Sequence, residues 1–321
     1  MKQKIVIVGQ GAMGLLCYHH LQQAKNKVSL LSSALSANLS SITPAEQSNS
    51  IPSLAPVTYS YTAHRDTTTK SYPLVYAQAD TISQADIIIV CVKSYQVAAA
   101  VKPITNMIKS TCLIVLAHNG MGTLAKAANL LPVGQRIIAM LTTHGCLRHS
   151  SLKITHTGLG HSDIGLLSGE MTQSEMSDLA QLLNQAMPTF SFEKNIRNKQ
   201  WLKLAINCVI NPITALNDIE NGQVNLVKYT ELKTQLIAEI VEVAKMEGIN
   251  FTNKEITKVV QDVAQATATN SSSMRCDVLA KRQTEINYIN GYVHRLGIKH
   301  NIATPMNTHV WQAVVKIQAQ F

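Results

Sequence analysis

No stretch of this 321-residue chain holds the roughly 18 to 20 consecutive apolar residues that cross a bilayer. The first apolar run, Ile5 to Val8, is too short for the core of a signal peptide. Both absences point to a cytoplasmic protein with no membrane partner. The six cysteines (Cys17, Cys91, Cys112, Cys146, Cys208, Cys276) include no C-x-x-C pair and mostly stand inside apolar segments. Reduced core thiols are therefore expected, with neither a disulfide framework nor a metal site. No nucleic-acid motif accompanies the net charge of +9, and the 28 Lys and Arg are dispersed among 19 Asp and Glu. Such a surplus serves solubility first and suits an anionic small molecule; a nucleic-acid partner is not expected. Internal repeats and a disordered tail are missing too. What remains, 46% hydrophobic residues over a length that suggests two domains, is ample material for folded cores.

The amino-terminal end carries the first positive signal. Ile5-Val6-Ile7-Val8 runs into Gly9-Gln10-Gly11-Ala12-Met13-Gly14 and then Leu15-Leu16-Cys17-Tyr18, which is G-x-G-x-x-G between a strand and a helix. In that pattern Gly9 permits the tight turn, Gly11 admits a pyrophosphate against the backbone, and Gly14 lets helix and strand pack closely. A second strand at Lys27 to Leu31 closes a βαβ unit of about the ~30 residues expected. A dinucleotide site is the better explanation than glycines serving a turn alone.

The second signal is W-L-K-L-A-I-N-C-V-I-N-P, from Trp201 to Pro212. Lys203, Asn207 and Asn211 are four residues apart, so at about 100° per residue they drift only some 80° and share one helix face. One ammonium and two amides set among core-type residues need partners. Hydrogen bonds to neighbouring backbone would satisfy either amide taken singly. The row as a unit points to a ligand bearing oxygen atoms.

Strand-like runs recur at Lys4 to Val8, Lys27 to Leu31, Ile87 to Val92, Leu113 to Leu116 and Arg136 to Leu141, the alternation of an α/β doubly wound parallel sheet. Ser32 to Thr69, with Pro44, Pro52 and Pro56, reads as loop plus a short antiparallel excursion around Val57 to Tyr61 and Tyr72 to Tyr76, peripheral to the chemistry except for the serines just after Leu31. Lys153 to Gly165 reads as a hairpin edging the sheet. From about Asn195 helices take over, at Thr230 to Glu247, from Asn253, in a third helix ending at Gly297, and after Thr304-Pro305. The chain thus divides into a dinucleotide-binding domain, 1–194, and an all-α domain, 195–321. Ligand contacts in such sheets come from the residues just past the strands. Two segments qualify. Alone, Lys93 fits a solvated lysine as well as a contact, and Asn119-Gly120 fits an ordinary turn. Their places at two carboxyl ends of one sheet turn both towards a ligand.

The segments I-V-G-Q-G-A-M-G, C-V-K-S-Y-Q, A-H-N-G-M-G-T, W-L-K-L-A-I-N-C-V-I-N-P and T-E-I-N-Y-I-N-G, in this order and spanning nearly the whole chain, resemble the ketopantoate reductase (2-dehydropantoate 2-reductase) family. The resemblance implies a Rossmann-type domain, a helical domain like the carboxy-terminal one of 6-phosphogluconate dehydrogenase, and a site in the cleft between them. It implies reduction of a small-molecule 2-keto acid, 2-dehydropantoate, by NADPH. Lys203 matches the catalytic lysine: hydride reaching a ketone carbon leaves charge on oxygen, which an ammonium can stabilise and protonate. Asn207, Asn211 and Asn221 match substrate-contacting asparagines, and Ser273 matches a serine that binds the substrate carboxylate. Glu285 matches an active-site glutamate near the nicotinamide, although by itself it reads as a surface ion pair with Lys281 or Arg282 on one helix. Gly9 to Gly14, Lys93, Asn119 and Cys146 fall along the cofactor, Cys146 where small residues are usual. The family's arginine after the second strand is replaced by Leu31-Ser32-Ser33-Ala34, and no Asp or Glu between Gly14 and Glu46 is available for a free ribose hydroxyl. Hydroxyls of Ser32, Ser33 or Ser36, with Lys93, are left to hold a 2'-phosphate, so NADP is expected over NAD. A related reductase of another 2-keto acid and a non-catalytic dinucleotide sensor are the alternatives; a sensor needs no proton donor such as Lys203.

Overall fold

The computed structural model describes residues 3–36, 57–187 and 189–321, so Pro44, Pro52 and Pro56 lie outside the described residues. The chain forms two compact units, Met1–His118 with Thr123–Ile196, and Asn119–Gly122 with Arg197–Phe321. Among the described residues no helix is long and apolar enough to cross a membrane.

The first unit is built on a seven-stranded sheet. Its five parallel strands, β1 (Lys4–Val8), β2 (Lys27–Leu31), β5 (Ile87–Val90), β6 (Leu113–Leu116) and β7 (Arg136–Thr142), lie in the order β7-β6-β5-β1-β2. The apolar runs are buried on both faces: Ile5, Ile7, Ile87 and Ile89 join one core and Val6, Val8, Ile88 and Val90 the other, as a sheet wound on both sides requires. The register aligns Val8 with Leu31 and Val90, and Val90 with Leu116. Gly9, Ser32, Cys91 and Ala117 therefore leave the sheet along one edge, where such sheets bind ligands.

Two expectations need correction. Lys153 to Gly165 is no hairpin: β9 (Lys153–Gly158) and β10 (Ser162–Ser168) belong to different sheets. β10 extends the main sheet antiparallel to β7, with β11 (Phe190–Phe192) beyond it, whereas β9 pairs with β3 (Val57–Thr62) and β8 (Gly145–Ser150). The chain does not reverse at Gly158 to Gly160: β9 and β10 run on in turn against β8 and β7, the reversal falls at Ser151 and Leu152 between β8 and β9, and alternation cannot say which sheet each arm joins. The tyrosine-rich excursion, β3 with β4 (Thr69–Leu74), is antiparallel as expected but is likewise part of a larger sheet. Together these strands make a second sheet, β4-β3-β9-β8, whose Tyr59, Tyr61 and Ile154 share a core with Leu15 and Leu16 of the helix Ala12–Gln23.

A histidine cluster fills this second interface. His19 stacks on Tyr61 at 3.6 Å, with its Nδ1 2.8 Å from the Tyr59 hydroxyl. The Gly160 amide donates to His144 Nδ1, so that nitrogen is an acceptor and His156 Nε2, 3.2 Å away, carries the proton between the two rings. Burial, with neighbouring histidines, pushes His19 and His144 down to about 4 and His20 to about 3; His156 is lowered too, chiefly by burial. These rings fold neutral. Below an ordinary value of 6.5 the unfolded chain binds protons that the folded chain refuses, so this stability is complete above pH 6.5 and is lost as pH falls towards 4. Urea titrations should show unfolding free energy falling across that window, less steeply in His144→Asn. A flat profile would mean that the rings charge inside the fold.

The second unit is helical: Ile196–Asn217, Thr230–Met246, Asn253–Ala266, Ser273–Leu279, Asn290–His300 and Pro305–Gln318. Thr252 caps the third through a capping box with Glu255, and Gly248 follows the second at φ +79°. The expected helix from the serine loop to Gly297 is broken. It stops at Leu279 in a Schellman turn, with Lys281 N–H donating to Val278 O and Arg282 N–H to Asp277 O. A lysine rather than a glycine holds the left-handed position (Lys281, φ +49°), so the sequence carries no stop signal there.

Pro212 lies inside the first helix and cannot donate to Cys208 O, one turn back. Asn290 Nδ2 supplies the missing hydrogen bond at 2.9 Å and also reaches Asn307 Oδ1 at 3.0 Å, joining three helices. Asn290→Ala leaves the Cys208 carbonyl and the Asn307 amide oxygen without this donor, and urea unfolding should register a loss of about 1–3 kcal/mol. An unchanged midpoint would show that water replaces the amide.

Candidate active site

In the first unit the glycine loop is shaped by two close approaches. A Cβ on Gly14 would strike the carbonyl of Gly9, and one on Gly9, at φ +112°, would come within 2.6 Å of Cys91 O. Gly11 differs: the nearest atom to its Cβ position is Cys91 O at 3.9 Å, so open space lies over it. Gly11 is also the N-cap of the helix Ala12–Gln23, which has no side-chain cap and no acid in its first turn. Amides at a helix start, an open approach over the cap glycine and no competing carboxylate suit a pyrophosphate. These residues fit a dinucleotide.

Around this loop Cys146 Sγ lies 3.4 Å from Ala12 O, and burial pushes its thiol up to about 12. It is a neutral wall group there. Lys93 begins the turn Ser94–Gln96 beyond β5, its amide donating to Gln96 Oε1. Ser32 Oγ accepts from Leu35 N–H, Ser33 is exposed and Ser36 is buried. Gln10 is held by residues that the sequence did not single out. Tyr76 OH donates to its Oε1 (3.2 Å), its Nε2 donates to Ser151 O (3.1 Å), and Arg148 Nη1 donates to its main-chain oxygen (3.2 Å). No local pattern reveals these contacts, because Arg148 and Ser151 come from β8 and the turn after it, and Tyr76 from the segment bridged to Leu30 of β2.

In the second unit Lys203 and Asn207 are half-buried on the helix Ile196–Asn217, and Asn211 is only 6% exposed. Among the described residues the side chains of Asn207 and Asn211 make no hydrogen bond, so neighbouring backbone does not satisfy them. Asn221 donates through Nδ2 to Thr267 Oγ1 (3.0 Å) and through its main chain to Asn270 O (3.0 Å), while its buried Oδ1 has no partner among the described residues. The serine loop adjoins the same helix: Ser272 Oγ is 2.7 Å from Thr214 Oγ1 and caps the Arg275 amide, leaving Ser273 exposed at the first helical position. The serine loop, with Asn221 bonded to its Asn270, thus lies beside the carboxyl-terminal part of the helix that carries Asn211.

Glu285 departs from its reading as a surface ion pair. It is 4% exposed, follows the helix break and accepts from Asn119 Nδ2 at 3.3 Å, whereas Arg282 pairs with Asp277. The H-N-G-M-G segment is shaped by this neighbourhood. Met121 N–H donates to Tyr288 O (2.8 Å), and a Cβ on Gly120, at φ +79°, would collide with that same carbonyl. Asn119 is therefore held on Glu285 by backbone docking as well as by its amide.

Residues 5–169 match the family model described as "Ketopantoate reductase PanE/ApbA", and residues 195–318 match "Ketopantoate reductase PanE/ApbA C terminal". The chain belongs to the ketopantoate reductase family. A 2-dehydropantoate 2-reductase of Vibrio cholerae is 31% identical over 314 residues, 98% of this chain and 97% of the relative. Among solved structures, a D-mandelate dehydrogenase with NADH and anilino(oxo)acetate has a TM-score of 0.85 at 21% identity, covering 100% of this chain and 99% of that one. A ketopantoate reductase from Ralstonia eutropha JMP134 gives 0.82 at 20%, covering 100% and 99%. At these identities the likeness is one of fold. Family membership makes the chain an oxidoreductase and agrees with the Rossmann-like unit followed by a helical one.

Proposed function

We propose that this ketopantoate reductase relative reduces 2-dehydropantoate to pantoate with NADPH, in pantothenate and coenzyme A biosynthesis. The observation that carries the reading is the polar row on the helix Ile196–Asn217, the Lys203 ammonium followed by Asn207 and Asn211, whose side-chain amides make no hydrogen bond among the described residues. Gly9 to Gly14 would hold the pyrophosphate, with Lys93, Asn119 and Cys146 along the dinucleotide and Glu285 at its nicotinamide end. When bound, the reduced nicotinamide supplies hydride. Lys203 places an ammonium proton at the carbonyl oxygen of the substrate, offsets the charge that grows there and delivers the proton. Asn207, Asn211 and Asn221 hold the remaining oxygens, and Ser273 takes the carboxylate. Purified protein assayed for NADPH oxidation against a panel of 2-keto acids tests this reading. The highest kcat/KM is expected with 2-dehydropantoate; a higher value with another 2-keto acid would reassign the substrate.

A further inference from the structure

The end of β2 offers no cation, and the hydroxyl of Ser32 is already engaged by the Leu35 amide. A 2'-phosphate bound beyond that strand needs positive charge from elsewhere in the fold. We propose that Arg148, on β8, is the 2'-phosphate-binding cation and the residue that makes this chain prefer NADPH to NADH. This inference rests on the dinucleotide reading given above.

The argument is positional. Arg148 Nη1 donates to the main-chain oxygen of Gln10, the residue immediately before the cap glycine of the pyrophosphate cradle. Gln10 in turn receives the hydroxyl of Tyr76, and Tyr76 is paired alongside Leu30 in a parallel bridge, with Ala77 N–H donating to Leu30 O. Gln10, Tyr76 and the guanidinium therefore form one connected cluster between the glycine loop and the last residues of β2. That is where the adenosine ribose lies in this fold. The guanidinium has five N–H donors and spends one on Gln10, so its exposed face keeps the fork that grips phosphate oxygens. The cation is delivered by the second sheet rather than by β2. Ser33, exposed beside the site, is left to contribute a hydroxyl.

Direct binding separates the possibilities. Dissociation constants for NADPH and NADH, measured by calorimetry on wild type and Arg148→Ala, should show NADPH weakened about 10- to 100-fold and NADH by less than about 3-fold. Arg148→Lys should fall between, and Ser33→Arg added to Arg148→Ala should restore NADPH binding. Equal weakening of both nucleotides would place the guanidinium on the pyrophosphate and overturn the proposal, as would an unchanged NADPH constant. If wild type binds neither nucleotide, the dinucleotide reading itself fails. Because Arg148 is exposed, its removal leaves the fold intact, which circular dichroism of the variant verifies.

Discussion

Lys203→Ala should cut turnover of 2-dehydropantoate by about 10²- to 10⁴-fold, the loss typical of removing a general acid that also steadies developing charge. NADPH affinity should hardly change, because the glycine loop that would hold the dinucleotide belongs to the other unit. The neighbouring asparagine should behave differently. Asn207 carries no proton to give and holds substrate in ground and transition states alike, so Asn207→Ala should chiefly raise KM. Steady-state kinetics on the two variants, with calorimetric NADPH binding as the control, read this contrast. Near-normal turnover in Lys203→Ala would make the lysine structural and move the proton donor to Glu285 or water.

The second large effect is expected at Gly11. Valine there meets nothing in the protein nearer than the 3.9 Å to Cys91 O at its Cβ, so the fold should survive. The same side chain fills the space above the helix start, where the pyrophosphate must approach the amides. Gly11→Val should therefore abolish measurable NADPH binding while leaving thermal unfolding within a few degrees of wild type. Gly14→Ala provides the counterpart. Its Cβ would be driven into the carbonyl of Gly9, so that variant should lose stability as well as binding. Intact NADPH affinity in Gly11→Val would remove the dinucleotide from this loop.

Some parts of the molecule are written locally and others are not. The five parallel strands follow from short, mostly apolar runs, and the two-sided burial of Ile5 to Val8 is what such runs require. The polar row of Lys203, Asn207 and Asn211 is legible because helical spacing alone places it on one face. The second sheet is assembled from segments almost a hundred residues apart, with Ser60 in register with Lys153, and no local periodicity encodes that pairing. Its consequences, the grip on Gln10 and the neutral histidine cluster, are hidden with it. Glu285 illustrates another limit. Helix periodicity placed it beside Lys281 and Arg282, but the left-handed turn at Lys281 ends the helix first and leaves the carboxylate buried against Asn119. Asn290 is a third case: its importance comes from Pro212, seventy-eight positions earlier, through one unclaimed carbonyl.

The central claim is that Lys203 meets the oxygen of the reacting carbonyl. A crystal structure of the protein with NADP and pantoate tests it most directly. The account predicts the pantoate 2-hydroxyl oxygen within about 3 Å of Lys203 Nζ, with Asn207 and Asn211 on other oxygens of the same molecule. Pantoate bound with its 2-hydroxyl directed away from Lys203, or held by none of these three side chains, would contradict it.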